Sequence, residues 1–114
     1  MLPRMILGGA DTVSPAVLLD WIGRGDAPIV LDVRSAGEFA AGHVPSARHV
    51  PFTSVLAGSH DVRAEKSAPV VVYCGHGPRA WLAGALLRRR GYARVTYLRG
   101  HMAAWRRAGL REER

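Results

Sequence analysis

The stretch VVVYCGHGPRAWLAGALL, Val70 to Leu87, holds the chain's only cysteine, Cys74. Its apolar start, Val70–Tyr73, reads as a strand buried on both faces. A glycine-rich hexad, CGHGPR, follows. Leu82, Ala83, Leu86 and Leu87 then recur at helical spacing between Arg79 and Arg90, and Gly91 supplies a C-cap. The lone thiol therefore stands where a strand ends and a helix begins, with Arg79 five positions further on.

That placement has a chemical meaning. The free amides and dipole at a helix start stabilise an anion, and Arg79 adds a permanent positive charge, so both favour a thiolate at Cys74. Gly75 and Gly77 let the backbone curl until its amides converge, which forms a nest for an anion or for a charged sulfur carried on the cysteine. The competing reading makes Cys74 a small buried hydrophobe. A packing cysteine needs neither a glycine nest nor an arginine at this spacing, so the combination favours a nucleophile.

Outward from this stretch, strands and helices alternate. Ser14 and Pro15 open a helix whose apolar face is Val17, Leu18, Trp21 and Ile22, closed by Gly23 and Gly25. IVLDV, residues 29–33, reads as a second buried strand. Ser35 and Glu38 form a capping box, Phe39 supplies an apolar face, and Gly42 and Pro45 end that helix. A short strand is expected around Arg48–Val50. Residues 53–68 read as loops with a short helix. RVTYL, 94–98, is a further strand, and His101 to Ala108 a final short helix. The alternation predicts an α/β layer fold with a mostly parallel sheet. Ligands of such sheets gather at the carboxyl ends of strands, where Asp32 and Cys74 both fall.

The 114 residues, 48% of them hydrophobic, suit one domain over residues 11–114 behind a flexible arm at 1–10. A single cysteine forms no internal bridge and fits a reducing compartment. No apolar run approaches the ~20 residues of a membrane span, and the N-terminus lacks a signal-peptide pattern, so the cytoplasm is the expected location. The net charge is +7, with arginines crowded late in the chain. We read them as a solvated helix surface; a positive potential that draws small anions toward a site is a separate reading that the sequence permits without requiring. Neither zinc-finger spacing nor an aromatic RNA-binding signature accompanies them, so no nucleic-acid partner is expected.

Three separated segments together resemble the single-domain rhodanese family of sulfurtransferases. LDVRSAGEFAAGHVPSA resembles the family's strand, "DVR", helix and "GHIPGA" segment. VVVYCGHGPRA resembles its strand and C-x-x-G-x-R loop, and GYARVTYLRGHMAAW its closing strand, glycine pair and tryptophan. The likeness spans roughly residues 14–110. It implies a three-layer α/β/α fold around a five-stranded sheet. It also implies a two-step reaction without cofactor or metal. Cys74 takes a sulfur from a small anionic donor such as thiosulfate, and a thiol or cyanide acceptor, or an acceptor protein, removes it. The resemblance makes Cys74 the nucleophile and Arg79 the residue that orients the donor. The loop Gly75, His76, Gly77, Pro78 and Ala80 would hold the persulfide.

The chain departs from the family pattern at four places. Ala80 stands for a hydroxyl residue, Pro78 removes one amide donor, Ser46 replaces a glycine, and His101 replaces the second glycine of a pair. Asp32 is expected to pair with an arginine and steady the loop, and Arg34 to pair with a nearby acid such as Glu38. His76 stays open between contact with substrate and an inert, exposed ring. His43, Trp21, Trp81 and Trp105 are read as structural. His49, His60 and His101 have no metal-ligand spacing. Two other functions remain in view. Cysteine phosphatases and arsenate reductases of this architecture use a loop one residue longer than the GHGP between Cys74 and Arg79. A non-catalytic binding module would have no use for Cys74 and Arg79 together.

Overall fold

The computed structural model describes residues 12–58, 62 and 64–114. Its elements in chain order are β1 (Thr12–Val13), α1 (Pro15–Gly23), β2 (Ile29–Asp32), α2 (Ala36–Ala41) and β3 (Arg48–His49). They continue with α3 (Phe52–Ala57), β4 (Val70–Tyr73), α4 (Pro78–Arg89), β5 (Val95–Leu98) and α5 (His101–Arg107). All strand pairs are parallel, in the order β1-β5-β4-β2-β3. This is the α/β architecture that the alternating pattern predicts. The arm at residues 1–10 and His60 lie outside the described residues.

The sheet divides the core in two because successive strand residues face opposite sides. Val70, Val72 and Cys74 join Leu31, Val33 and the α3–α4 residues Val55, Ala80, Ala83 and Leu87 on one face. Val71 and Tyr73 join Val30, the α1 residues Leu18 and Trp21, and the α5 residues Met102 and Trp105 on the other. Cys74 thus continues the alternation of β4 and points toward α4.

The caps form as their sequences specify. The Ser14 hydroxyl accepts the Val17 N–H, and Ser35 and Glu38 complete a reciprocal capping box. Helix α4 begins one residue earlier than its apolar spacing indicates, because Pro78 occupies the first helical position after Gly77. The short helix expected within 53–68 is α3. Strand β1 leaves no mark in the sequence: two residues are too few for a period, and only pairing of Thr12 with Tyr97 and Val13 with Leu98 makes them a strand. The tail is likewise tied down through distant partners. Glu113 exchanges two main-chain hydrogen bonds with His43, and the Trp105 indole donates to the Arg111 carbonyl.

The strand order places a switch point between β2 and β4. From β2 the chain moves to β3 on one side, and from β4 it moves to β5 on the other, so the two following loops diverge and leave a crevice. Asp32 and Tyr73, the last residues of these strands, are direct neighbours in the register. Cys74 is the next residue.

Candidate active site

Cys74 is 1% exposed, beneath the loop it begins. The Gly77 N–H donates to its Sγ at 3.0 Å. Gly77 has φ +142, and a Cβ there would come within 2.7 Å of the Trp81 ring, so glycine is needed both for the backbone angle and for the space. Gly75 has no such requirement: a Cβ there would only touch the Arg79 guanidinium at ordinary contact distance. The nest expected from two glycines therefore depends on one of them. Pro78 and His76 are exposed, and Ala80 is fully buried under the loop.

The start of α5 braces the loop from below. The Cys74 N–H donates to Nδ1 of His101 at 3.3 Å. The Met102 N–H donates to the Cys74 carbonyl at 3.0 Å, and the Ala103 N–H to the Gly75 carbonyl at 3.1 Å. His101 holds φ +56, directly after Gly100 at φ +72. A non-glycine residue in the left-handed region costs about 1–2 kcal/mol, and histidine is among the residues enriched there. Burial, and secondarily the charge of His76, lower the His101 pKa below its ordinary 6.5.

Asp32 is fully buried and fully paired. It accepts from the Arg34 backbone N–H at 2.9 Å, from Arg34 Nε and Nη2, and from the Tyr73 hydroxyl at 2.6 Å. Burial works to lower the Arg34 pKa, but the hydrogen bonds and charge of Asp32 outweigh it and raise the value. Burial, with Asp32 beside it, pushes the Tyr73 phenol far up. The expectation that Asp32 pairs with an arginine is met by Arg34, and the nearby acid that Arg34 takes is Asp32 rather than Glu38. The reason is local: Arg34 lies two residues past Asp32, in a turn that already points its backbone N–H at the carboxylate.

Glu38 turns instead to Arg79, with contacts of 2.7 and 3.1 Å. The Arg79 hydrogen bonds, together with its cap of Ser35, hold the Glu38 carboxyl down at about 2. The Glu38 hydrogen bonds in turn raise Arg79. Both side chains line an open cavity of about 160 Å³ with Arg34, Gly75, His76, Met102, Ala103 and Arg106. Cys74 is the residue immediately before Gly75 of this lining. The sequence reading missed Glu38, Met102, Ala103 and Arg106 here. The capping box marked Glu38 as a helix residue and hid its second bond.

The remaining marked residues fall outside this cavity. His43 stacks on Phe39 with ring centroids 3.7 Å apart and donates to the Phe39 carbonyl. His49 donates to the Arg34 carbonyl. Trp21 and Trp105 are buried, whereas Trp81 is 57% exposed. It covers Gly77 and meets the His101 ring edge-on at 6.2 Å. Among the described residues no His, Cys, Asp and Glu side chains cluster as a metal site.

A family model described as Rhodanese-like domain matches residues 14–108, most of the chain. The chain belongs to the rhodanese-like family. A sulfurtransferase of Allochromatium vinosum is 37% identical to it over 82 residues, covering 72% of this chain and 75% of that protein. The thiosulfate sulfurtransferase GlpE of Ectopseudomonas mendocina is 34% identical over 85 residues, covering 73% and 74%. The crystal structure of the Alr3790 protein of Anabaena sp. superposes with a TM-score of 0.77 at 30% identity, covering 89% of this chain and 90% of that one. As the resemblance implied, this rhodanese-like chain has a five-stranded sheet with helices on both faces. Its two glycine replacements, Ser46 and His101, are also its only non-glycine residues with positive φ among those described.

Proposed function

We propose that the chain is a sulfurtransferase that carries sulfur as a persulfide on Cys74. The observation that carries this reading is the Gly77 N–H held 3.0 Å from the Cys74 sulfur at the β2/β4 crevice, beside a cavity lined by arginines. In the first step the Cys74 thiolate attacks the outer sulfur of thiosulfate. The sulfur–sulfur bond of the donor breaks, its electron pair leaves with sulfite, and Cys74 keeps a terminal sulfur bearing the negative charge. In the second step a thiolate or cyanide attacks that sulfur and restores the Cys74 thiolate. Main-chain N–H groups of the 75–80 loop stabilise the charged sulfur, as preorganised donors do for other developing anions.

Arg79 orients the donor, which exchanges with Glu38 for the guanidinium. The net charge of +7 favours approach of a dianion. The name of the Ectopseudomonas mendocina relative supports thiosulfate as donor. With one cysteine in the chain, the acceptor thiol comes from another molecule. We place the reaction in the cytoplasm, whose reducing conditions keep Cys74 free. Residues 11–114 act as one unit in it. Among the described residues no helix is long and apolar enough to cross a membrane.

A second reading, a binding module, has one observation in its favour: Cys74 is 1% exposed, and Arg79 is already paired. Mass spectrometry after incubation with thiosulfate separates the two. The sulfurtransferase gains one sulfur, loses it to cyanide, and gains none as Cys74→Ser. No adduct with any of several donors establishes the binding module. Turnover of an aryl phosphate that depends on Cys74 establishes a phosphatase.

A further inference from the structure

We propose that His101 is a positioning residue whose neutral ring holds Cys74 in place, and that protonation of this ring releases the reactive loop and stops sulfur loading in acid. The kinetic half rests on the sulfurtransferase reading; the positioning half does not.

Three consecutive residues, 101–103, contact two consecutive residues, 74–75. The two N–H groups of Met102 and Ala103 serve the carbonyls of Cys74 and Gly75. The remaining main-chain group of Cys74, its N–H, is served by a side chain, His101 Nδ1. An imidazole nitrogen accepts only when it carries no proton, so this contact requires a neutral ring with its proton on Nε2. The backbone makes the contact possible. Gly100 at φ +72 and His101 at φ +56 turn the chain so that ring and amides face the loop together. A glycine at 101 adopts that φ but offers Cys74 no acceptor. Asparagine adopts it too, and its Oδ1 takes the place of Nδ1.

A second proton turns the acceptor into a donor. Two N–H groups then oppose each other across 3.3 Å, and the Cys74 amide is left buried without its partner. The ring is 4% exposed, and both its burial and His76 resist this protonation, which places the event below pH 6.5. The groups around it define the competing titrations. From the loop after β4, His76 acts on the ring through its charge, and Cys74 contacts it through the backbone N–H while its thiol points toward α4. From α4 the contact is Trp81, which does not titrate. Arg34, Glu38, Arg79 and Arg106 line the neighbouring cavity.

The experiment compares the full chain with His101→Asn and His101→Gly in sulfur loading from thiosulfate across pH, with NMR of the Cys74 amide and the His101 ring. Asparagine is expected to keep the neutral-pH rate within about threefold, and glycine to lose about tenfold or more. Dividing the wild-type rate by the His101→Asn rate cancels ionisation of the thiol. This ratio is expected to be flat above pH 6.5 and to fall at least about tenfold below it. His76→Asn moves that midpoint to higher pH, because it removes a positive neighbour. In the wild type, the Cys74 amide resonance shifts with the midpoint of the ring, and the neutral ring carries its proton on Nε2. Parallel pH profiles for wild type and His101→Asn overturn the proposal, as does a proton on Nδ1 or a Cys74 amide that ignores the ring. If the amide follows the ring but no sulfur loads at any pH, the positioning stands and the sulfurtransferase reading falls.

Discussion

Asp32 and Arg34 meet inside the molecule with side chains 0% and 3% exposed, whereas Glu38 and Arg79 meet at its surface with 39% and 38% exposed. Both pairs have a shortest contact of 2.7 Å, and both lie at the carboxyl end of the sheet. Their surroundings separate them. Asp32 also accepts from Tyr73, and Arg34 also donates to the Gly42 carbonyl, so the inner pair is woven into three segments of chain. The outer pair has water on one side and is free to exchange partners. A buried pair is strongly destabilising to break, because it leaves an uncompensated charge. A half-exposed pair costs little to break, because water replaces the lost partner. One arginine–carboxylate pair thus fixes the crevice, and its neighbour leaves a cation for an incoming anion.

The most severe way to break this contrast is Asp32→Ala. It strands the Arg34 charge in the core, and we expect a loss of about 3–5 kcal/mol in urea denaturation. Tyr73→Phe removes one bond to the Asp32 carboxylate and the partner of the Val44 N–H, with an expected loss of about 1.5–3 kcal/mol by the same measurement. Arg79→Ala tests the outer pair. Stability should change by less than about 1 kcal/mol, while sulfur loading, followed by mass spectrometry, slows by about tenfold or more, equivalent to ~1.4 kcal/mol of barrier. Comparable loss of stability from Arg79→Ala and Asp32→Ala would erase the distinction.

Glu38→Gln has the smallest expected effect and sharpens the contrast through pH. The folded-state pKa of Glu38 is lowered from its ordinary 4.5 to about 2. Its contribution is therefore complete above pH 4.5 and is lost as pH falls through about 2. For so exposed a pair that contribution stays below about 1 kcal/mol. The variant should lose this acid-dependent part of its unfolding curve. It should also show a lower KM for thiosulfate at neutral pH, since a neutral side chain competes less well for Arg79. An unchanged KM would mean that the donor does not displace Glu38.

Ser46 and His101 show how a departure from a sequence pattern is accommodated. Both positions keep positive φ without glycine, and both have found a polar partner. The Ser46 N–H donates to the Glu113 carboxylate at 2.9 Å, and the His101 ring accepts from Cys74. In the sequence each substitution reads only as a missing glycine.

The amino-acid order alone determined the alternation of strands and helices, the two caps, and the strand–Cys74–helix junction. Each of these is set by neighbours within a turn or a strand, where periodicity and local hydrogen bonding act. It also placed Asp32 and Cys74 at strand ends, which is enough to locate the crevice. Tertiary structure decided which partner each polar group took. Glu38 meets Arg79 across 41 positions, Tyr73 meets Asp32 across 41, and Cys74 meets His101 across 27. It also decided that Thr12 and Val13 form a strand and that Trp81 stays at the surface. A side chain's choice among several opposite charges depends on distance and burial in space, and these exist only once the sheet has brought the carboxyl ends of its strands together.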